Sequence, residues 1–212
     1  MPYFINTWRT PKAGRYMEVA KAAGEALKGT GKPGFVNLTL SPPRPTDTSM
    51  RVIGTIGGFD TLTDIENFFD AMLEDETRFA SVEKVNTLCN QSNVSVSKIL
   101  NPSSTWPDGF TPKFVKRDFI TPVGGALPEL IDLLIDWSQE ATSRIHWVIS
   151  QTVRGLSLAE TLRVSHFSEN LQTLEDFDSN DIMPNHRLKR FGELVASSPV
   201  RGTGRITYIN RP

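Results

Sequence analysis

Three histidines, His146, His166 and His186, are the side chains of this sequence best suited to acid–base work or metal ligation. None has a second histidine four residues along, the spacing that sets two imidazoles on one helix face around zinc. Two of them read as strand residues and His186 as the start of a helix. Asn6 stands between Phe4 and Trp8 on one face of an apolar strand, where a buried amide needs hydrogen-bond partners. Asn37, in the alternating run 36–40, joins it as a polar residue of the expected ligand-binding set. Trp8, Trp106, Trp137 and Trp147 supply flat apolar area that suits an aromatic ligand or, more plainly, a packed core.

Other patterns fail on spacing. Gly54, Gly57 and Gly58 do not make a dinucleotide fingerprint, and Lys28-Gly29-Thr30-Gly31-Lys32 does not make a phosphate loop. Gly155 and Ser157 do not form a nucleophile elbow. Asp75, Glu76, Glu175, Asp176 and Asp178 read as solvated helix faces, as does the cluster Arg187, Lys189, Arg190. The ligand-binding candidates are therefore Asn6, Trp8, Asn37, His146, His166 and His186, with no catalytic residue nominated and no metal site.

The elements that must position these residues come in a repeated order. In the first half, 4–10 reads as a strand, and Thr10-Pro11 looks like an N-cap and first helical residue. Tyr16, Val19, Ala20, Ala23 and Leu27 then recur at helical spacing, with Gly29 as the stop. Strands follow at 36–40 and 51–59, separated by a proline-rich loop at 41–49. Thr63-Asp64-Ile65-Glu66 has the form of a capping box before Ile65, Phe68, Phe69 and Met72. A second helical stretch carries Phe79, Val82 and Val85, and 94–100 closes the half as a strand.

The second half gives strands at 114–121, 144–150, 161–167 and 204–210, with helices through Leu127–Leu134, Leu174 and Arg187–Leu194. Trp8-Arg9-Thr10-Pro11 and Phe119-Ile120-Thr121-Pro122 lie 111 residues apart, and Ile65-Glu66-Asn67-Phe68 meets Leu174-Glu175-Asp176-Phe177 at an offset of 109. The expected division is a first repeat over 1–101, a linker over 102–112 and a second repeat over 113–212.

Strand–helix–strand–strand–helix–strand is the ferredoxin-like unit, an antiparallel sheet with helices on one face. Here the strands are apolar on both faces: Tyr3 and Ile5 on one side of the first strand, Phe4 and Trp8 on the other. The helix-free face needs a cover, and the second repeat can supply it. The expected fold is α+β, with two ferredoxin-like (βαββαβ) repeats packed sheet to sheet as an intrachain barrel.

Phe4-Ile5-Asn6-Thr7-Trp8-Arg9 and Asn185-His186-Arg187-Leu188-Lys189-Arg190-Phe191, set in this topology, resemble the dimeric α+β barrel superfamily. That group includes antibiotic-biosynthesis monooxygenases, heme-degrading monooxygenases and NIPSNAP proteins. The resemblance implies that a polar residue on the first strand, here Asn6, lines a cavity. It also implies that any bound heme would take its axial ligand from His186; no other cofactor is evident.

Composition sets the outer bounds. The 212 residues carry a net charge of −1, which leaves no basic footprint for nucleic acid. No apolar run reaches the length of a membrane helix. The single cysteine excludes an intrachain disulfide, and the N-terminus lacks the basic and apolar regions of a signal peptide, so a cytoplasmic location is expected. The expected function is binding of a small apolar or aromatic molecule. The alternative is a small monooxygenase-like enzyme acting on an aromatic metabolite or heme. Homo-oligomerisation through edge strands is left open.

Overall fold

Apolar side chains on both faces of a strand require two covers, and this chain provides them by closing its sheet. The computed structural model describes residues 2–41, 50–101, 106–140, 145–155, 161–180 and 185–211, without the side chains of residues 179, 180, 185 and 186. The first half runs β1 (Tyr3–Pro11), α1 (Tyr16–Gly29), β2 (Gly34–Ser41), β3 (Val52–Phe59), α2 (Leu62–Glu74), α3 (Glu76–Thr87) and β4 (Cys89–Ile99). The second runs β5 (Phe114–Ile120), α4 (Leu127–Glu140), β6 (His146–Gly155), β7 (Leu162–Ser168), α5 (Leu171–Asn180), α6 (Asn185–Leu194) and β8 (Val200–Asn210).

The strands form a closed antiparallel barrel in the order β1-β3-β2-β8-β5-β7-β6-β4. The expected packing of sheet on sheet thus takes the form of one continuous hydrogen-bonded wall. β2 pairs with β8 and β4 pairs with β6, so neither set of four strands keeps an open edge.

Side-chain alternation divides the molecule into an inside and an outside. On the outer face of the first half, Val19, Ala20, Ala23 and Leu27 of α1 pack on Val36, Val52 and Val85. On that of the second, Leu130 and Leu134 of α4 pack on Trp147, Ile149, Leu162 and Val164, with Leu174, Phe177 and Leu194 from the last two helices. Each fully buried aliphatic side chain in these layers contributes roughly 1.5–3 kcal/mol. Inside the barrel, Phe35, Val115, Phe167 and Ile206 form a smaller apolar cluster.

Two local expectations are corrected. Thr10 and Pro11 do not start a helix: they extend β1, pairing with Gln91 and Cys89, and α1 begins at Tyr16 after a turn held by Arg15 N–H donating to the Lys12 carbonyl (3.0 Å). The first residue of β4 captures Pro11, and strand pairing outweighs the local preference for Pro at a helix start. The capping box lies two residues earlier than Thr63. Asp64 N–H donates to the Thr61 hydroxyl (3.1 Å), and Thr61 N–H donates to the Asp64 carboxylate (2.8 Å). No helix among the described residues is long and apolar enough to cross a membrane.

Candidate functional site

Inward-facing positions on β1 are Phe4, Asn6 and Trp8; on β5 they are Val115, Arg117 and Phe119; on β7 they are Arg163, Ser165 and Phe167. The pairings Asn6 with Thr55 and Ser95, and Ser150 with Arg163, fix the same parity around the ring. These side chains leave a cavity of about 390 Å³ inside the barrel, bounded by Phe4, Asn6, Phe35, Thr55, Arg117, Val148, Arg163, Ser165 and Phe167.

One end of the barrel is plugged. The Trp8 and Phe119 rings lie 6.3 Å apart, and the Trp8 indole N–H donates to the Ser95 hydroxyl (3.0 Å). The other end is where Gly34, Gly57, Ile99 and Asn210 emerge, and it is covered by residues 106–109 and Arg211. Trp106 packs on Phe35 (5.8 Å) and Phe167 (5.4 Å), which come from opposite halves of the chain. The Arg211 guanidinium stacks over Trp106 (5.7 Å).

Two arginines stand in the interior. Arg117 Nη2 donates to the Asn37 side-chain oxygen (2.9 Å). Arg163 donates from Nη1 (2.8 Å) and Nη2 (3.0 Å) to the Asn6 oxygen, with the amide turned so that its nitrogen donates to the Thr55 hydroxyl (2.8 Å). The reverse orientation would set the amide nitrogen against the guanidinium. Arg163 Nε and Asn37 Nδ2 are buried without a hydrogen-bond partner among the described residues. Each guanidinium also sits over a ring, Arg163 over Phe4 (4.9 Å) and Arg117 over Phe35 (6.0 Å). Burial, with the charge of Arg163 added to it, pushes Arg117 down to about 9. Burial alone pushes Arg163 down to about 10. The one carboxylate bordering the cavity among the described residues is Asp108, exposed on the rim.

The six residues expected from sequence divide among several places. Asn6 lines the cavity, Asn37 anchors Arg117, and Trp8 plugs the closed end. His146 is at the mouth, between Phe110 (6.2 Å) and Phe167 (6.4 Å), outside the cavity lining. His166 is on the opposite face of β7, against Trp147 (4.4 Å) and Phe177 (4.9 Å). The side chain of His186 lies outside the described residues. Sequence reading missed Arg117 and Arg163. The signal was parity, since each shares a strand face with apolar neighbours, Val115 and Phe119 or Phe167.

Behind the second half of the sheet, buried Lys116 and Asp118 meet the more exposed Asp178 and Arg201. Lys116 is ion-paired with Asp178 and lies 3.9 Å from Asp118, while Arg201 Nε donates to Asp118 (2.6 Å). His166 Nδ1 is 3.5 Å from the same Asp118 carboxylate, which would favour its charged form. Burial, then the cations Lys116 and Arg201, outweigh that attraction and hold the imidazole well below its usual range, so it is neutral. A further cavity of about 240 Å³ lies between α1–α3 and the outer face of the first half, and includes Arg9, which donates to the Thr7 hydroxyl (2.6 Å).

A heme requires an axial donor facing open space. Among the described residues, no histidine, cysteine or methionine lines the barrel cavity. His166 is enclosed by Trp147, Phe177 and Asp118. The described residues therefore do not fit a heme.

At the level of sequence, no protein-family model and no curated protein matches the chain. Solved structures do match its fold. A "Putative monooxygenase" of Fusobacterium nucleatum subsp. nucleatum superposes with a TM-score of 0.72 at 7% identity, covering 99% of this chain and 94% of that one. A second "putative monooxygenase", from Lactobacillus acidophilus, gives 0.64 at 10% identity, covering 97% and 93%. An "anthrone oxidase-like protein" gives 0.59 at 11% identity, covering 98% and 92%. At such identities the likeness establishes the α+β barrel architecture.

Proposed function

We propose that this chain binds one small apolar or aromatic molecule inside its barrel. The carrying observation is the one-ended cavity of about 390 Å³, plugged by Trp8 and Phe119 and walled by Phe4, Phe35, Phe167 and Trp106. A well-packed barrel of eight strands fills its interior with side chains. Keeping a cavity forgoes packing energy that a larger residue at Val148 or Ser165 would recover.

The order β4-β1-β3-β2 in one half matches β8-β5-β7-β6 in the other. That match supports reading the halves as two ferredoxin-like repeats, 1–101 and 113–212, with 102–112 as the linker. An oxygenase acting on an aromatic metabolite is the second reading, and the likeness to structures named as monooxygenases favours it at the level of fold. It needs a proton acceptor beside the substrate, and Asp108 on the rim is the one carboxylate bordering the cavity among the described residues.

The test uses N-phenyl-1-naphthylamine, an uncharged probe that fluoresces when it leaves water. Saturable binding at one probe per chain, abolished by Val148→Trp, is the expected result. No binding, or equal binding by the filled variant, overturns the reading.

A further inference from the structure

Taking the barrel cavity as a ligand site, we infer that its ligand is an acid: an oxyanion on an aromatic or apolar body, with the oxyanion seated between Arg117 and Arg163. Elsewhere in the chain a deeply buried cation has a carboxylate partner. Lys116, 3% exposed behind the sheet, is matched by the Asp178 carboxylate and lies 3.9 Å from Asp118. Arg117 and Arg163 are as deeply buried, each 6% exposed, yet the described residues bring them only neutral amide oxygens. Arg9, likewise without a carboxylate among its described partners, also borders a cavity. Three buried cations without a carboxylate among their described partners, Arg9, Arg117 and Arg163, thus border cavities, whereas buried Lys116 has one.

Two like charges near one another in a low-dielectric interior repel, and each has lost its hydration. Burial lowers the proton affinity of both guanidinia, and the charge of Arg163 adds to the effect at Arg117. An anion between them reverses both costs. The donors for it are present. Each guanidinium has five N–H groups in a planar fork. Among the described residues, Arg163 Nε–H has no partner and Arg117 makes one side-chain hydrogen bond, to Asn37. Asn6 and Asn37, both in the first half, fix the two forks of the second half, so the pair is positioned before any ligand arrives. The rest of the wall, Phe4, Phe35, Val148 and Phe167, has no use for a naked inorganic ion and fits an apolar body attached to the acid.

The test compares 8-anilinonaphthalene-1-sulfonate with N-phenyl-1-naphthylamine, which share an aromatic body and differ in the anion. At pH 7 the sulfonate should bind the wild-type chain about tenfold more tightly, the effect of a charge-assisted contact. Arg163→Met and Arg117→Met should each bring the ratio of the two affinities, both measured on the same variant, down toward one. Should either methionine variant fail to fold, Arg117→Lys and Arg163→Lys keep the charge without the fork and should give a smaller loss. 2-Naphthoate should displace the sulfonate, whereas millimolar inorganic phosphate should not; displacement by phosphate alone overturns the aromatic-acid assignment. Equal affinity for both probes, unaltered by the arginine variants, overturns the acid inference while leaving the cavity reading intact. Binding of neither probe overturns both.

Discussion

His166 carries a clear consequence at the scale of the single residue. It is 3% exposed, neutral, and held below the ordinary imidazole value of 6.5 by burial and then by Lys116 and Arg201. The unfolded chain therefore binds a proton near pH 6.5 that the folded chain refuses. Stability is unaffected well above that pH and falls as pH drops from about 6.5 toward the lowered folded value, by up to about 1.4 kcal/mol per pH unit. Urea titrations at pH 7, 6 and 5 should show His166→Phe with a shallower loss than wild type; parallel losses would mean that the imidazole is not held neutral. The residues themselves show why the site was only half legible from sequence. The face shared by Phe4, Asn6 and Trp8 follows from alternation alone, and the structure places Asn6 in the cavity lining. What Asn6 and Asn37 do depends on Arg163 and Arg117, partners 157 and 80 residues away. No local pattern reports contacts of that separation.

At the scale of elements, the mouth of the cavity depends on how closely β2 approaches β3. A Cβ placed on Gly34 would lie 2.1 Å from the Thr55 carbonyl oxygen and 3.1 Å from a Leu27 methyl. Neither the backbone atom nor the tightly packed helix beneath can yield without shifting a strand. Gly34→Ala should cost about 1–3 kcal/mol, lowering the melting temperature by roughly 2–4 °C per kcal/mol, and should also weaken binding of the neutral probe. Calorimetry and the fluorescence titration check it together. A variant with wild-type stability would show that this crossing is looser than drawn. Helices and strands were legible here because apolar spacing is strong: Val19, Ala20, Ala23 and Leu27 lie on the buried face of α1, as their period requires. Boundaries were less legible, because β4 starting at Cys89 claims Thr10 and Pro11 for β1 through contacts that sequence spacing does not show.

At the scale of the molecule, the barrel is closed by two seams, β2 with β8 and β4 with β6. Across the interior the halves are tied by Arg117 to Asn37, Arg163 to Asn6, Phe167 to Phe35 (5.4 Å) and Phe119 to Trp8. A half alone would expose two strand edges and an apolar face, the conditions under which sheets associate. The second half would further present two interior arginines with their amide partners gone. Residues 1–101 and 113–212, produced separately, should therefore run as dimers or aggregates in size-exclusion chromatography with light scattering. Mixed from denaturant at equal concentration, they should give a one-to-one complex that again binds N-phenyl-1-naphthylamine, since every wall of the cavity except the cover at 106–109 is restored. Two stable monomeric halves would show that the sheets do not need each other, and the cavity would then have to be explained without a shared barrel.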